Sequence, residues 1–271
     1  MESIQKSTFK NFEIIIINDA INDDLGFLLR KFNIRLVQHK KEQLWVKSRN
    51  EGAKIAKGKL LFFVDDDNIL NRTTLNIMVK KYAKLQKNGK VGILGPLMYN
   101  KDGTLWFWGS KANWIDPYQK PVSKDKLKQE LIQTDTIPNA YMISKDFFLK
   151  LGMEDQEFLH HEDTDLVQRA KQKGYLSYIF TKAKIIHDHG GIIKHLTPFR
   201  VNTVIRSHIM LEKKFATPVR YILFWTLYMP VNLAYYFFYK IPFKLGKDKI
   251  AYYRAYIGGL KEGLKYHKRI E

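Results

Sequence analysis

No cysteine occurs in the 271 residues. That excludes disulfides, thiolate zinc sites and a cysteine nucleophile, and it fits a reducing compartment. The opening residues, Met1-Glu2-Ser3-Ile4-Gln5-Lys6, lack the basic and apolar regions of a signal peptide, so export is not expected. Internal repeats and low-complexity tracts are missing too. Acids are scarce at one end: residues 194–271 hold 15 Lys/Arg against four acids, so +11 of the formal net charge of +19 lies there. Such a tail needs an anionic neighbour (membrane lipid, nucleic acid or a phosphate-bearing substrate) unless it is simply a solvated basic face. No nucleic-acid reading motif accompanies the charge, so nucleic acid is not expected as a partner. What is present, 45% hydrophobic and 27% charged residues, builds a folded globular chain with one good core and a small appendage.

The stretch Leu60-Leu61-Phe62-Phe63-Val64-Asp65-Asp66-Asp67-Asn68 carries most information. Its short apolar run after Gly58-Lys59 reads as a buried strand of a mostly parallel sheet. Ligands of such sheets sit beyond the carboxyl ends of the strands, where the three acids fall. Adjacent carboxylates repel, and hard oxygen ligands favour Mg²⁺ or Mn²⁺, which in turn favours a phosphate-bearing substrate. The plainer alternative is an Asp-rich turn with no metal.

Residues 12–19 repeat the design, four isoleucines leading to Asn18-Asp19, and 33–37, 91–97 and 137–143 read as further strands, the run from 91 ended by Gly95-Pro96. Helices are expected from Ser48-Arg49-Asn50-Glu51-Gly52-Ala53, over 73–86 and from Phe147. This alternation means an α/β domain of βαβ units, placed at residues 1–195. Residues 106–114 and 123–133 read as loop with limited sheet. The remainder, 196–271, is a basic, aromatic helical region. Within it, residues 221–239 carry no charge, but Pro230 and Asn232 interrupt them and basic residues flank both ends. A broken helix lying in one leaflet is favoured over a single span or a buried hairpin.

A second acidic cluster, Glu162-Asp163-Thr164-Asp165-Leu166, opens a short helix that Gly174 ends. Acids at a helix start suit the macrodipole, but three exceed what a cap requires, and a carboxylate there can serve as general base. Ile185-Ile186-His187-Asp188-His189-Gly190-Gly191 follows as a strand ending in two histidines. At i, i+2 their side chains leave one face together and could line a site or bind metal. A P-loop is excluded, because the glycine spacing over 52–60 is wrong.

These pieces in this order resemble the family 2 glycosyltransferases, especially the rhamnosyltransferase-like branch with the GT-A (nucleotide-diphospho-sugar transferase) fold. The resemblance runs from about residue 1 to 265. It implies that Asp19 and Arg49 hold the nucleoside, Arg49 within an Arg-Asn-x-Gly motif. Asp65-Asp66-Asp67 resembles the DxD motif: Asp65 and Asp66 bind the nucleotide sugar, and Asp67 with Asp65 binds Mn²⁺ or Mg²⁺, His187 and His189 being further candidate ligands. Glu162-Asp163-Thr164-Asp165-Leu166 is similar to the signature whose second acid is the base, which makes Asp163, with Glu162 and Asp165, the catalytic set. Arg254 to Leu264 resembles the family's C-terminal end.

Two departures stand out. The family's first strand, with a pattern like Ile-Pro-x-Tyr-Asn, is missing, and Met1 falls inside the first helix. Asn18 also stands where an acid is common, and Ala20-Ile21 where small polar residues are usual. The implied activity is an inverting, metal-dependent glycosyltransferase. It would take a nucleotide-diphosphate sugar and a lipid-linked or glycan acceptor, at the cytoplasmic face of a membrane. The alternative is an N-terminally truncated, impaired membrane-binding module.

Overall fold

In the computed structural model the described residues are 1–20, 23–89, 91–112, 120–188 and 197–267. The chain forms two compact units. One comprises Met1–Lys111, Pro121–Gln156 and Glu162–Asp188, the other Ala112–Lys120, Glu157–His161 and His189–Glu271.

The first unit begins with α1 (Glu2–Gln5), β1 (Ile15–Asn18), α2 (Gly26–Lys31), β2 (Arg35–Gln38) and α3 (Trp45–Ile55). β1 and β2 pair in parallel as a small sheet of their own. There follow β3 (Leu60–Val64), β4 (Asn68–Leu70), α4 (Thr74–Asn88), β5 (Val91–Asn100), β6 (Leu105–Phe107), β7 (Ser110–Lys111) and β8 (Lys120–Pro121). Then come β9 (Leu131–Thr134), β10 (Ala140–Ser144), α5 (Lys145–Lys150), α6 (Glu162–Gln172) and β11 (Leu176–His187).

The large sheet runs β3-β10-β5-β11-β4, with β6 and β9 on its flanks. It is mixed rather than mostly parallel. β5 and β11 run parallel, while β10 enters between β3 and β5 antiparallel to both. β5 also runs through Gly95-Pro96 instead of ending there. Proline has no N–H for the ladder, and opposite Pro96 the register of β11 slips between Phe180 and Lys184, a bulge that absorbs the missing bond. Gly95 is needed because a Cβ there would lie 2.7 Å from Pro138.

Alternation along the strands sends side chains to two cores. Ile93, Tyr141 and Ile143 pack with Phe148 of α5 and Leu166 and Ala170 of α6. Leu94 and Met142 pack with Met78 and Tyr82 of α4 on the other face. Both faces are covered, which is why these strands read as continuous apolar runs.

The second unit is helical: α7 (Pro198–Phe215), α8 (Pro218–Leu223), α9 (Met229–Tyr235) and α10 (Lys249–Lys265). α7 and α10 meet at Gly259 and Gly263, where a Cβ would come within 2.5 Å of the Asn202 carbonyl and 2.9 Å of Ile209. The break expected at Pro230 is not a break. Wide π-turns at Phe224–Tyr228 and Tyr236–Lys244 join α8 and α9 into one helix over residues 218–244. Pro230 follows the first π-turn closely and Pro242 lies inside the second, and the missing N–H and bulky ring of each loosen the helical ladder.

Glu212 of α7 is buried, neither carboxyl oxygen has a hydrogen-bond partner, and His208 Nε2 lies 3.8 Å away. Burial pushes its carboxyl up to about 8, with Arg220 opposing, and pushes His208 down to about 3. Glu212 binds a proton in the folded state that the unfolded state releases near pH 4.5, which lowers stability as pH rises; the lowered His208 acts the other way below its ordinary 6.5, so the net fall runs from there through about 8. Glu212→Gln should remove this slope and raise the melting temperature at pH 9 by several degrees more than at pH 5. An equal shift at both pH values would show that the carboxyl is not held neutral.

Candidate active site

The acids sit where strands end. β3 delivers Asp65-Asp66-Asp67, and its antiparallel register with β10 (Val64 opposite Ala140) sets Asn139 beside them. Asn139 Nδ2 donates to Asp65 Oδ2 at 3.1 Å. β4 pairs with the end of β11, Asn68 opposite His187, which brings His187 Nε2 to 2.9 Å from Asp67 Oδ2. The Asp188 amide closes the junction by donating to the Asp67 carbonyl. Trp106 of β6 lies over the His187 ring, centroids 4.3 Å apart.

Arg49 projects from α3 into the middle of this group. Its Nη2 is 2.7 Å from Asp65 Oδ1, and its Nη1 is 3.4 Å from Glu154 Oε1 and 3.6 Å from Glu162 Oε1. Glu154 is buried and also accepts from Tyr141 Oη at 2.6 Å. Asn50 fixes its backbone from both sides, accepting from the Glu154 amide and donating to its carbonyl. Trp45 Nε1 donates to Glu162 Oε1 at 2.9 Å. Next along α6, Asp163 Oδ2 accepts from the Ile137 amide at 3.4 Å, two residues before Asn139.

One continuous chain of polar contacts thus joins Asp67, His187, Asn139, Asp65, Arg49 and Glu162. Carboxylates outnumber cations along it. Two groups respond by holding protons: Asp163 is pushed up to about 7 by burial and by Glu162, and Glu154 to about 7 by burial against the pull of Arg49. Asp67 is also raised, by burial first and then by Asp65 and Asp66, with His187 opposing.

Backbone strain marks the same places. The non-glycine residues with positive φ among the described residues are Leu44, Met153 and His161 (φ 65, 66 and 61°), immediately before Trp45, Glu154 and Glu162. Asp19 holds the first of these turns. Its two oxygens accept from the Gln43 and Leu44 amides, each at 2.7 Å, and His39 Nδ1 lies 2.7 Å away. These bonds outweigh burial and lower its pKa. Asp19 therefore sets the entry of α3 and hence Arg49. Asn18, buried at the end of β1, donates to Gln38 and the Asp23 carbonyl.

Of the residues singled out from the sequence, Asp65, Asp67, Arg49, Glu162, Asp163 and His187 converge. Asp66 is exposed beside them. His189 lies outside the described residues, as does Ile21. Asp165 is 0% exposed and bonded to Arg169 Nε at 2.7 Å, and Arg169 Nη2 in turn donates to the Met153 carbonyl. Through Arg169 it braces the segment that carries Glu154.

Glu154, Tyr141, Asn139, Trp45 and Trp106 escape sequence reasoning. Glu154 has no periodic neighbours and meets Arg49 only through folding. Asn139, just before a strand, offered the nearest signal.

For a divalent cation, Asp67 Oδ1 and Asn139 Oδ1 are buried oxygens without hydrogen-bond partners. Among the described residues no three His, Asp or Glu side chains form a full ligand cage. The group does fit a cation that takes one or two protein ligands and completes its shell with phosphate and water, as Mg²⁺ does in nucleotide sites.

Comparison with known proteins agrees with this geometry. The sequence model of glycosyl transferase family 2 matches residues 1–151. The dTDP-rhamnosyl transferase RfbF of Shigella flexneri is 23% identical over 276 aligned positions, covering 94% of this chain and 87% of RfbF. Glycosyltransferase GlyG of Streptococcus pneumoniae serotype 4 is 27% identical over 116 residues, covering 40% of this chain, and the match spans 37% of GlyG. Among solved structures, S. aureus TarS 1-349 superposes with a TM-score of 0.60 at 14% identity, covering 97% of this chain and 75% of that one. GalNAc-T7 with UDP, GalNAc and Mn²⁺ gives 0.61 at 15% identity, covering 79% and 45%. The chain belongs to glycosyl transferase family 2 and has the GT-A fold.

Proposed function

We propose that the chain is an inverting glycosyltransferase that moves a sugar from a nucleotide-diphosphate sugar to an acceptor hydroxyl, in the synthesis of a cell-surface glycan or glycolipid. The observation that carries this reading is the polar chain from Asp67 to Glu162, the neighbour of Asp163, which supports a cation site and a base serving one reaction.

Asp163 removes the proton of the acceptor hydroxyl as its oxygen attacks the anomeric carbon from the face opposite the leaving group. The bond to the nucleoside diphosphate breaks and the diphosphate leaves with the electron pair, so configuration inverts. Burial and Glu162 push Asp163 up to about 7, high enough to take the proton and low enough to leave about half of it ionised at neutral pH. Glu162, held by Trp45 and Arg49, fixes the first turn of α6. Asp67, with Asp65 and His187, would hold Mn²⁺ or Mg²⁺, whose charge offsets that of the departing diphosphate. Arg49 and Asp19 shape the nucleoside side, and Asp66 stands at its rim.

RfbF is a dTDP-rhamnosyl transferase and covers most of this chain, so dTDP-rhamnose is the first donor to test, followed by UDP-sugars. Nucleoside-diphosphate release from these donors by the full chain tests the reading. With Mn²⁺ present one donor should turn over, and Asp67→Ala or EDTA should abolish metal-dependent nucleotide binding. Affinity unchanged by both would remove the metal from Asp67.

The acceptor is proposed to be lipid-linked or a growing glycan at the cytoplasmic face of a membrane, which the basic C-terminal region would approach. No helix among the described residues is long and apolar enough to cross a membrane.

A further inference from the structure

We infer that the helix over residues 218–244 lies flat in one leaflet of an anionic membrane, inserting a defined stripe of side chains. The inference deepens the membrane-surface reading above and rests on it.

Val219, Ile222, Leu227, Val231, Phe238 and Phe243 are each at least 60% exposed. The opposite side of the same helix is buried: Phe224, Met229, Asn232, Tyr236 and Ile241 pack on α7 and α10 residues such as Ile205, Tyr252 and Tyr256. Asn232 is fixed there, donating to Tyr228 Oη and accepting from Tyr256 Oη, both at 2.8 Å.

In a regular α-helix a row at spacing four drifts by about 40° per step, so a stripe this long would wind around the helix. π-turns rotate less per residue and drift back the other way. Two π-turns alternating with α8 and α9 therefore keep the exposed row within roughly a third of the circumference over the whole length. The departures from α-geometry straighten the apolar face.

The charge pattern names the occupant. Residues 213–247 contain no acid, while Lys213, Lys214, Arg220, Lys240, Lys244 and Lys247 lie on or beside the helix. Lys244, exposed, sits 5.6 Å from the ring of half-exposed Tyr239, a cation drawn against an amphipathic ring as at a headgroup boundary. A second copy of the chain would set these cations against their like with no acid between them. Anionic headgroups supply the missing charge, and acyl chains take the stripe.

The test is co-sedimentation of the full chain with vesicles of phosphatidylcholine alone or mixed with phosphatidylglycerol. The wild type should bind mixed vesicles at least about tenfold better than neutral ones. Phe238→Glu with Phe243→Glu should cut that binding at least about tenfold without moving the melting temperature, since both positions are exposed. Lys244→Gln with Lys247→Gln, both at exposed positions, should lose the preference for anionic lipid. Equal sedimentation of the Phe238/Phe243 variant and wild type would overturn the inference. So would a vesicle-free dimer that the same variant dissolves. Donor turnover measured in parallel keeps the two readings separate: vesicle binding without turnover overturns the glycosyltransferase proposal and leaves the docking face standing.

Discussion

Asp163→Asn should lower kcat by about 10²–10⁴-fold, the usual weight of a positioned general base, while donor affinity changes less than about threefold. The asparagine keeps the shape and can still accept from the Ile137 amide, so the N-terminal turn of α6 should not move. Only the proton acceptor is lost. The wild-type pH profile gives the same residue a second signature. As the proposed base, Asp163 acts only when ionised, so kcat/KM should rise with pH and level off above about 7. Burial and the neighbouring charge of Glu162 both place that limb high. Glu162→Gln removes one of them and should move the limb to lower pH. A limb that stays in place would belong to another group, Glu154 first, because it also titrates near 7. Comparable loss of donor binding and of turnover in Asp163→Asn would withdraw the base assignment.

Arg49→Leu should destabilise the fold by about 3–5 kcal/mol, the cost of leaving buried carboxylates without their cation. Arg49 is the shared counter-charge of Asp65, Glu154 and Glu162, and the Glu154 side chain is fully buried. The loss should be smaller at pH 6 than at pH 8. Glu154 has a folded pKa above its ordinary value, so it takes up a proton as pH falls and needs the guanidinium less. Adding Glu154→Gln to Arg49→Leu should recover at least roughly 1 kcal/mol, because the two residues are coupled rather than independent. Urea unfolding of the single and double variants measures this. Additive losses would show that Arg49 does not neutralise Glu154, and Arg49 would then be a nucleotide contact alone.

Much of this site was written in local pattern. An apolar run ending in Asp65-Asp66-Asp67 announces a strand tip crowded with carboxylates, and Glu162-Asp163 at the start of α6 announces a charged helix end. Both signals depend only on neighbours in sequence. Strand direction does not: nothing local in Ala140–Ser144 says that it enters the sheet antiparallel between β3 and β5, since that depends on the route of the whole chain. Pro96 misled for a related reason, because its cost is absorbed by a bulge in β11, a distant strand. Asp165 pairs with Arg169, and their i, i+4 spacing is an ion-pair signal that the sequence already carries. Glu154 was invisible because its partner, Arg49, lies 105 positions away. The tail showed its basic charge and aromatics in sequence, but the straight apolar stripe exists only because two π-turns correct the helical drift.

The most direct measurement is the rate of nucleoside-diphosphate release from the donor that turns over, compared among wild type, Asp67→Ala, Asp163→Asn and the double variant. If the metal end and the base end serve one reaction in one cleft, each single variant should lose at least about a hundredfold, and the double variant should be little worse than the poorer single. A single variant that keeps activity within tenfold of wild type, or losses that simply multiply in the double, would contradict a shared site.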